Sequence, residues 1–404
     1  MNKKFENIEP MTWAQVDLRA IKHNFTEIRR LTARNQFQIP SRNINKTNLI
    51  DPEHILTVVK ADAYGHGMIK VSALLDSLGV GYFGVSDVAQ GVELRKSGIQ
   101  RPILLLENAL ADYAKYIVDY GLIPTVSTHE LAQALNQYAK SVDQRVNIHI
   151  KIDTGMGRIG VWYKEAAGFI EQVHRFRNLV IHGIYTHFPV ADTDKIFTKA
   201  QVEKLYNLVL KLDQKGLVIP YIHASNSMGL GGYKTKVLNI FRPGLMLYGQ
   251  YPAVGLKKDI HLKPALSVHS RIIFIKEIQK GRSISYGRTF IARKSMTVAT
   301  IPIGYKDGYP RLLSNKASVL IAGQRCPVLG TVTMDQIVVD VSKVKPLHLG
   351  MPVVILGRQK DEEITPDELA QYTGTINYEV ICMLGNNLPR VYSSTPEDYG
   401  FGDV

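Results

Sequence analysis

The segment VNIHIKI at Val146–Ile152 is followed by a helical pattern over Lys164–Phe176 and by a second apolar segment, LVIHGIY, at Leu179–Tyr185. Two short strand patterns separated by one helical pattern are typical of a β-α-β unit, in which the two strands run parallel. This stretch therefore predicts an α/β fold, and the rest of the chain shows whether the unit is repeated.

The first strand of this unit alternates apolar and polar residues. Its isoleucines share one face, and His149, Lys151 and Asp153 share the other. In a barrel, one face of a strand packs against helices and the other lines the interior, where polar groups suit a ligand site. A solvent-facing edge strand gives the same alternation, so the pattern leaves both interpretations open.

Strand and helix patterns continue to alternate before and after this unit. Eight strand candidates, with helical patterns in most of the gaps, predict a (β/α)₈ TIM-like barrel over residues 1–263, with an open doubly wound sheet as the alternative. After Pro264 strand patterns follow one another with little helix, which predicts a mostly-β domain over residues 264–404. The barrel candidates are His54–Lys60, Gly81–Val85, Pro102–Leu106, Leu122–Val126, Val146–Ile152, Leu179–Tyr185, Ile219–His223 and Asn239–Leu247.

Two helix starts carry clear cap signals. Asp17 precedes apolar residues at helical spacing, and Thr365 precedes a proline and a glutamate in capping-box position. Between the first helix and the next strand, the segment Ala33–His54 is rich in Asn and Arg, which predicts a long loop.

Composition narrows the classes of function. The 404 residues include 49 Lys and Arg against 36 Asp and Glu, a net charge of +13, but the basic residues are scattered without a run of five. This favours a basic soluble protein, or one that handles anionic ligands, over a nucleic-acid binder. Two cysteines exclude a disulfide framework and a multi-cysteine zinc site, and we expect no metal. Without a signal-peptide pattern or a long apolar run, we expect a cytoplasmic enzyme with no membrane span.

Lys60 ends an apolar strand pattern, Ile55–Val59, and precedes ADAYGHG. A lysine at the end of a buried strand suits Schiff-base formation, because burial favours the neutral amine. Most lysines at strand ends are merely solvated, so the position alone is a weak signal. The longer stretch VVKADAYGHG resembles the cofactor-lysine motif of the alanine racemases, enzymes of fold type III that bind pyridoxal 5′-phosphate (PLP).

Further motifs that resemble this family follow in order, so the resemblance spans about Trp13 to Arg390. It implies a (β/α)₈ barrel followed by a β domain, and a homodimer in which each active site uses residues of both chains. The motifs are KIDTGMGRIG at Lys151–Gly160, GIYTHF at Gly183–Phe188, HASNSMG at His223–Gly229, NIFRPGLMLYG at Asn239–Gly249, SYGRTF at Ser285–Phe290, IPIGYKDGYPR at Ile301–Arg311, VTMDQ at Val332–Gln336 and INYEV at Ile376–Val380.

The resemblance implies a role for individual residues. Lys60 matches the lysine that holds PLP and acts as one of two catalytic bases, and Tyr286 matches the second base, supplied by the partner chain. Lys151 matches a lysine that is often carbamylated and positions Arg158. Residues that match the family's cofactor contacts are Lys60, Tyr64, Arg158, His187, Asn226, Ser227, Arg242, Gly244, Leu245 and Tyr378, and those that match its substrate contacts are Arg158, Tyr305, Met334 and Asp335.

These roles agree with elementary chemistry. Two bases on opposite faces can remove a proton from one side of the α-carbon and return one to the other side, while PLP delocalises the carbanion. A tyrosine needs help to act as a base near neutrality, and a network through His187 to the charge of Arg242 would supply it. An arginine facing the pyridine nitrogen would leave that nitrogen unprotonated, which limits side reactions.

The implied activity is the interconversion of L- and D-alanine, which supplies D-alanine for peptidoglycan. Two alternatives remain at this point: a broader racemase that accepts serine or basic amino acids, and a non-catalytic PLP-binding protein, although such proteins lack the second domain. Some candidates also have purely structural explanations. Asn226 and Ser227 would cap a short helix, Tyr305 would pack in its loop, and His149 and His223 would be satisfied interior histidines.

The sequence departs from the family pattern at three places. After INYEV the chain reads ICMLGNNLPR, where the family usually has an extra arginine before the proline. Asp62 stands where the family more often has Asn, which adds a negative charge near Lys60, and the segment Arg34–Glu53 is longer than usual. The effect of Asp62, the role of the long segment, the carbamylation of Lys151 and the state of Cys326 and Cys382 stay open.

Overall fold

The computed structural model describes residues 9–34, 52–227, 238–252, 257 and 259–393. They form two compact units. The barrel unit comprises Ile21–Ala63 and Met68–Lys263, and the β unit comprises the described residues up to Ala20, Tyr64–Gly67, and those from Pro264 onward. The predicted long loop lies mostly outside the described residues.

The described chain opens with β1 (Trp13–Asp17) and α1 (Leu18–Arg34). The Asp17 carboxylate accepts hydrogen bonds from the backbone N–H groups of Arg19 (2.8 Å) and Ala20 (3.2 Å). The predicted cap at the start of the first helix is therefore confirmed.

The sheet of the barrel unit is parallel and runs in the order β2-β3-β4-β5-β6-β8-β9, with the short β7 paired to β6. Backbone bonds from Leu56 N to Phe241 O (2.8 Å) and from Asn239 N to Ile222 O (3.0 Å) place residues 239–241 between β9 and β2. The sheet thereby curls into the predicted TIM-like barrel. Its strands are β2 (Leu56–Val58), β3 (Tyr82–Val85), β4 (Ile103–Asn108), β5 (Ile123–Val126), β6 (Val146–Asp153), β7 (Val161–Trp162), β8 (Leu179–Tyr185) and β9 (Tyr221–His223).

The eighth predicted strand, Asn239–Leu247, is shorter than expected. Only isolated parallel bridges at Ile240 and Phe241 represent it, and Leu245–Tyr248 forms a 3₁₀ helix. Pro243 has no N–H to donate, which contributes to the early end of the ladder.

Helices alternate with these strands, and polar caps set several of their starts. The last one begins at Lys195, where the Asp194 carboxylate accepts from Phe197 N at 2.8 Å. The helices are α2 (Met68–Ser77), α3 (Val88–Lys96), α4 (Ala114–Asp119), α5 (His129–Ser141), α6 (Ala166–His174) and α7 (Lys195–Asp213), with 3₁₀ turns at Pro52–His54 and Ala111–Tyr113.

The alternation in β6 is that of an interior barrel strand. β6 pairs with β5 on one side and β8 on the other, and His149 and Lys151 are as buried as the isoleucines between them. The edge-strand interpretation is therefore wrong, and the polar face of β6 lies inside the protein.

The β unit contains a mixed sheet in the order β16-β15-β18-β10-β1-β20, a three-stranded sheet β11-β14-β17, and the hairpin β12-β13; β19 pairs with β18. β1 was not predicted, and it joins this sheet between β10 and β20. The strands are β10 (Leu266–Arg271), β11 (Phe274–Ile278), β12 (Ser283–Ile284), β13 (Phe290–Ile291), β14 (Met296–Ile301), β15 (Ser318–Ile321), β16 (Gln324–Pro327), β17 (Ile337–Asp340), β18 (Pro352–Gln359), β19 (Glu362–Ile364) and β20 (Arg390–Ser393).

Two α-helices lie in the β unit. The predicted one is α8 (Pro366–Thr373), where Thr365 Oγ1 accepts from Glu368 N at 3.1 Å. The second, α9 (Asn377–Asn387), was not predicted, because Ile376 at its start provides no side-chain cap. The 3₁₀ turns of this unit are Tyr286–Arg288, Tyr305–Asp307 and Arg311–Leu313. Among the described helices, none has the length and apolar character needed to cross a membrane.

Candidate active site

Lys60 follows β2 and begins a left-handed helical turn. All four residues from Ala61 to Tyr64 have φ between 52° and 54°, although none of them is glycine. The left-handed region costs about 1–2 kcal/mol for each such residue. Strain of this kind persists only where the surroundings fix it, and it is concentrated at functional sites. The backbone thus marks Lys60 independently of its sequence motif.

Hydrogen bonds hold this turn in place. Ala63 N donates to Val59 O at 2.8 Å, and the Asp62 carboxylate accepts from Met68 N at 2.6 Å, at the start of α2. Aspartate tolerates the left-handed region better than most residues do. The unexpected Asp62 therefore has a structural role in joining the strained turn to the next helix.

Arg242 lies buried in the barrel unit. Its Nη1 donates to His223 Nδ1 at 2.6 Å, and its Nη2 donates to the carbonyl oxygens of Thr186 (2.8 Å) and Ala224 (3.1 Å). The ring centroid of Tyr185 lies 5.2 Å from Cζ of the guanidinium. Burial lowers the pKa of Arg242 to about 10, so the side chain stays charged near neutrality.

His187 lies beside Arg242, with its Nδ1 3.4 Å from Arg242 Nη2. A guanidinium only donates hydrogen bonds, so His187 Nδ1 accepts and the ring proton lies on Nε2. Burial, followed by the charge of Arg242, holds the pKa of His187 well below its usual range. Gln201 Nε2 donates to the His187 carbonyl at 3.2 Å and so fixes this segment from α7. His187 is thus a neutral imidazole with its Nε2–H available as a donor.

Lys151 on β6 is 2% exposed, and its Nζ lies 5.4 Å from the ring centroid of Tyr185. Burial lowers the pKa of Lys151 to about 7, and the charges of Arg242 and Arg158 act in the same direction. A large fraction of this lysine is therefore a neutral, nucleophilic amine near neutral pH.

Arg158 lies in the loop after β6 and is exposed. The Asp153 carboxylate shapes this loop by accepting from Gly155 N (2.9 Å) and Gly157 N (3.2 Å). The charge of Arg158 contributes to the lowered pKa of both Lys151 and His187. Arg158 is thus electrostatically part of the same group of cations.

Ser227, Gly244 and Leu245 also come together in the barrel unit. Ser227 Oγ accepts from Gly244 N at 3.1 Å, and Leu245 begins the 3₁₀ helix that follows. Asn226 Nδ2 donates to Phe188 O at 3.3 Å. Small side chains and backbone N–H groups at such a turn suit a phosphate.

Tyr286 projects from the β unit and is 72% exposed. Its neighbours Ser285 (φ 62°) and Arg288 (φ 51°) are in the left-handed region without being glycine. Thr331 Oγ1 donates to the Tyr286 carbonyl at 2.8 Å. A Cβ on Gly330 would lie 2.6 Å from Ile284 O, so the two segments pack closely. Tyr286 is therefore exposed on a backbone that is held firmly.

The three predicted substrate contacts of the β unit are adjacent. Tyr305 N donates to Thr333 O (3.0 Å), Lys306 N donates to Met334 O (3.2 Å), and Lys306 forms an ion pair with Asp335. The structure thus brings Tyr305, Met334 and Asp335 together at exposed positions.

Tyr64 and Tyr378 form a separate pair in the β unit. Their ring centroids are 6.2 Å apart, at an interplanar angle of 45°. Burial, followed by the proximity of Tyr378, raises the pKa of Tyr64, so this phenol stays protonated.

Sequence reasoning missed several residues of the barrel cluster. Tyr185 lies between Lys151 and Arg242, stacks on His223 at 4.7 Å, and has its hydroxyl 2.6 Å from Thr125 Oγ1. The available signal was its position at the carboxyl end of β8, because residues at the carboxyl ends of barrel strands face the site.

Four basic side chains contribute to the electrostatics of His187. The charges of Arg242, Lys151, Arg158 and Lys60 all lower its pKa. Such a set of donors, beside the turn at Ser227 and Gly244, fits a ligand with a phosphate and a second anionic group. The residues present therefore fit PLP together with an amino-acid carboxylate.

Comparison with known proteins agrees with this site. Residues 41–252 match the family model described as the N-terminal domain of alanine racemase, and residues 265–392 match that of its C-terminal domain. The chain is 39% identical over 395 residues to the alanine racemase of Halothermothrix orenii, covering 98% of this chain and 99% of that one. It is 39% identical over 383 residues to that of Carboxydothermus hydrogenoformans, covering 94% and 99%.

A solved structure shows the same likeness. The alanine racemase of Clostridium difficile 630 superimposes with a TM-score of 0.86 at 35% identity, covering 96% of this chain and 97% of that one.

Proposed function

The chain belongs to the alanine racemase family of isomerases, and we propose that it interconverts L- and D-alanine with PLP held covalently by Lys60. The observation that carries this proposal is the buried Arg242, hydrogen-bonded inside the barrel unit and 3.4 Å from His187, together with the strained turn that presents Lys60. When bound, PLP would supply a sink for the electron pair that remains after the α-proton leaves.

The proposal assigns the two proton transfers to Lys60 and to Tyr286 of the partner subunit. The Lys60 amine would exchange a proton with one face of the α-carbon, and the Tyr286 phenol would do so with the other. The Nε2–H of His187 would donate to the Tyr286 oxygen and favour its deprotonated form, with Arg242 as the fixed charge behind it.

We also propose that Lys151 is carbamylated. Carbamate formation needs a neutral amine, and the lowered pKa of about 7 provides one at neutral pH. The neutral amine would add to CO₂ and release one proton, which leaves a negatively charged carbamate near Arg158 and Arg242. It would orient the Arg158 guanidinium toward the substrate carboxylate.

A homodimer is part of this proposal. Tyr286, Tyr305 and Met334 are exposed on connected segments of the β unit, whereas catalytic groups act most effectively in a site from which water is excluded. Exposed large apolar residues in the same unit, such as Leu312 and Ile376, suit a surface that a second subunit covers. A cytoplasmic location and the supply of D-alanine for peptidoglycan complete the proposed role.

The cofactor assignment is tested by borohydride reduction of the purified protein followed by peptide mapping. We expect the label on Lys60. A label on another lysine, or none after incubation with PLP, would contradict the assignment.

The substrate assignment is tested with a panel of L-amino acids and chiral analysis of the products. We expect alanine to be racemised fastest. Comparable rates for serine or basic amino acids would establish the broader racemase, and no turnover of any amino acid would favour a PLP-binding protein without catalysis.

A further inference from the structure

A second hydrogen-bond chain starts at Arg242, apart from the one that reaches His187. Arg242 Nη1 donates to His223 Nδ1, so the proton of the His223 ring lies on Nε2. His223 Nε2 is 2.8 Å from His149 Nδ1 and therefore donates to it. The proton of the His149 ring must then lie on Nε2. One guanidinium thus sets the tautomers of two buried histidines in succession.

The far end of this chain is a buried N–H group. His149 is fully buried, and its Nε2 has no hydrogen-bond partner among the residues that the structure describes. His182 Nδ1 is also buried and has no partner within the same part of the chain. The two rings are 5.7 Å apart between centroids, at an interplanar angle of 53°. A donor and a potential acceptor are therefore both unsatisfied in one region of the barrel unit.

His182 lies on β8, the strand that pairs with β6. The register between β6 and β8 shifts after Ile148, and the His182 ring packs against His149 and Tyr221. Together with Tyr82, these residues form a polar aromatic group around the unpaired nitrogens. A polar space with two or more partners is where a buried water binds, and an unpaired buried donor is costly.

We propose that one buried water accepts from His149 Nε2–H and donates to His182 Nδ1, and that the completed chain makes His149 a positioning residue for Arg242. Arg242 donates its hydrogen bonds to neutral rings and carbonyl groups, whose fixed polarity orients its guanidinium. If His149 were flipped or protonated on Nδ1, two donors would face each other along the chain. The effect on the cofactor rests on the proposed function, whereas the tautomers and the water do not.

The tautomers are tested by NMR of the purified protein labelled with ¹⁵N-histidine, with resonances assigned through His149→Gln and His182→Phe. We expect His149 and His223 to be neutral with the proton on Nε2 from pH 6 to 9. A proton on Nδ1 of His149 would overturn the chain. This result does not depend on whether PLP binds.

The water is tested by a crystal structure at a resolution that shows ordered solvent. We expect one water within hydrogen-bond distance of His149 Nε2 and His182 Nδ1. A direct contact between the rings, or density for no water, would overturn the proposed bridge.

The positioning role is tested with two variants of the holoenzyme. In His149→Phe, His223 loses its acceptor, and we expect kcat to fall about tenfold with a shifted absorption band of the bound cofactor. His149→Gln can still accept through its amide oxygen, so we expect kcat within about threefold of the parent. The exposed His174→Gln is the matched control.

The pattern across these variants decides the outcome. Equal losses of kcat in His149→Phe and His149→Gln, or an unchanged cofactor absorption band in both variants, would show that His149 only fills space and does not position Arg242. If neither the parent protein nor the variants show the absorption band of a bound cofactor, the proposed function is contradicted. The NMR and crystallographic experiments would still test the hydrogen-bond chain from Arg242 to His149.

Discussion

The barrel interior and the exposed loops of the β unit both carry predicted site residues, but they hold them in opposite ways. In the barrel, Lys151 and Arg242 are almost fully buried, and hydrogen bonds and aromatic contacts fix the groups around them. In the β unit, Tyr286, Tyr305 and Met334 are exposed, and only their backbones are fixed.

From this difference we expect the buried barrel residues and the exposed β-unit residues to respond differently to mutation. The barrel cluster concentrates positive charge in a desolvated place, so its residues affect stability as well as activity. The β-unit side chains contact little of their own chain, so changes to them should affect activity alone. The following predictions test this separation.

The largest effect is expected for Tyr286→Phe. Loss of the proposed base should reduce kcat about 10³-fold with PLP still bound, because general acid–base catalysis contributes about 10²–10⁴-fold. The free energy of unfolding should change by less than about 0.5 kcal/mol, since the hydroxyl is exposed. Chiral assays and urea unfolding measure the two quantities. Full activity would remove Tyr286 from the mechanism, and a large loss of stability would break the comparison.

The next effect is expected for Lys151→Met, which removes the proposed carbamate. We expect kcat/KM for alanine to fall by about 10–100-fold, since Arg158 loses the group that orients it. In the parent, ¹³CO₂ should give a carbamate signal in ¹³C NMR at pH 8 that weakens below pH 7, as the amine becomes protonated. A carbamate signal that persists in the variant would assign it to another lysine.

The same variant should change how stability depends on pH. Because the pKa of Lys151 is lowered to about 7, the unfolded chain binds a proton between pH 7 and 10 that the folded chain does not. In CO₂-free buffer, this group makes the free energy of unfolding rise with pH across that window, by about 2–4 kcal/mol in total. Lys151→Met should flatten the rise, and an unchanged slope would show that Lys151 is not desolvated.

The smallest effect is expected for Gly330→Ala. Gly330 has φ 77°, and its new Cβ would lie 2.6 Å from Ile284 O, so the backbone that presents Tyr286 must shift. We expect kcat to fall several-fold and the free energy of unfolding to fall by about 1–3 kcal/mol. Gly350→Ala, at φ 79° with nothing within 4 Å, is the matched control for the backbone term alone. Equal kinetics in both variants would show that the backbone around Tyr286 does not need this packing.

Most of the barrel could be predicted because its signals are local. β6, β8 and the helix between them follow from residue patterns within short windows, and the caps at Asp17 and Thr365 follow from single side chains. β1 could not be predicted in the same way. Its partners β10 and β20 lie far along the chain, so its place depends on long-range pairing that no local pattern contains.

The same distinction between local and long-range signals applies to the candidate site. Motifs point to Lys60, Arg242 and Tyr286 as candidate site residues, but they do not reveal the contacts between side chains. The chain from Arg242 through His223 to His149 depends on which nitrogen faces which donor, and this follows only from the packing of β6, β9 and the segment that carries Arg242. For the same reason, the sequence treated His149 and His223 as merely satisfied interior residues.

The left-handed turn after Lys60 has a consequence for protein engineering. Glycine at position 61 would relieve backbone strain, because glycine enters the left-handed region without a steric penalty. It would also loosen the chain that presents the lysine. We expect laboratory selection for heat resistance to enrich glycine at position 61 and selection for turnover to remove it. The residue found at this position would then indicate which of the two selections had been applied.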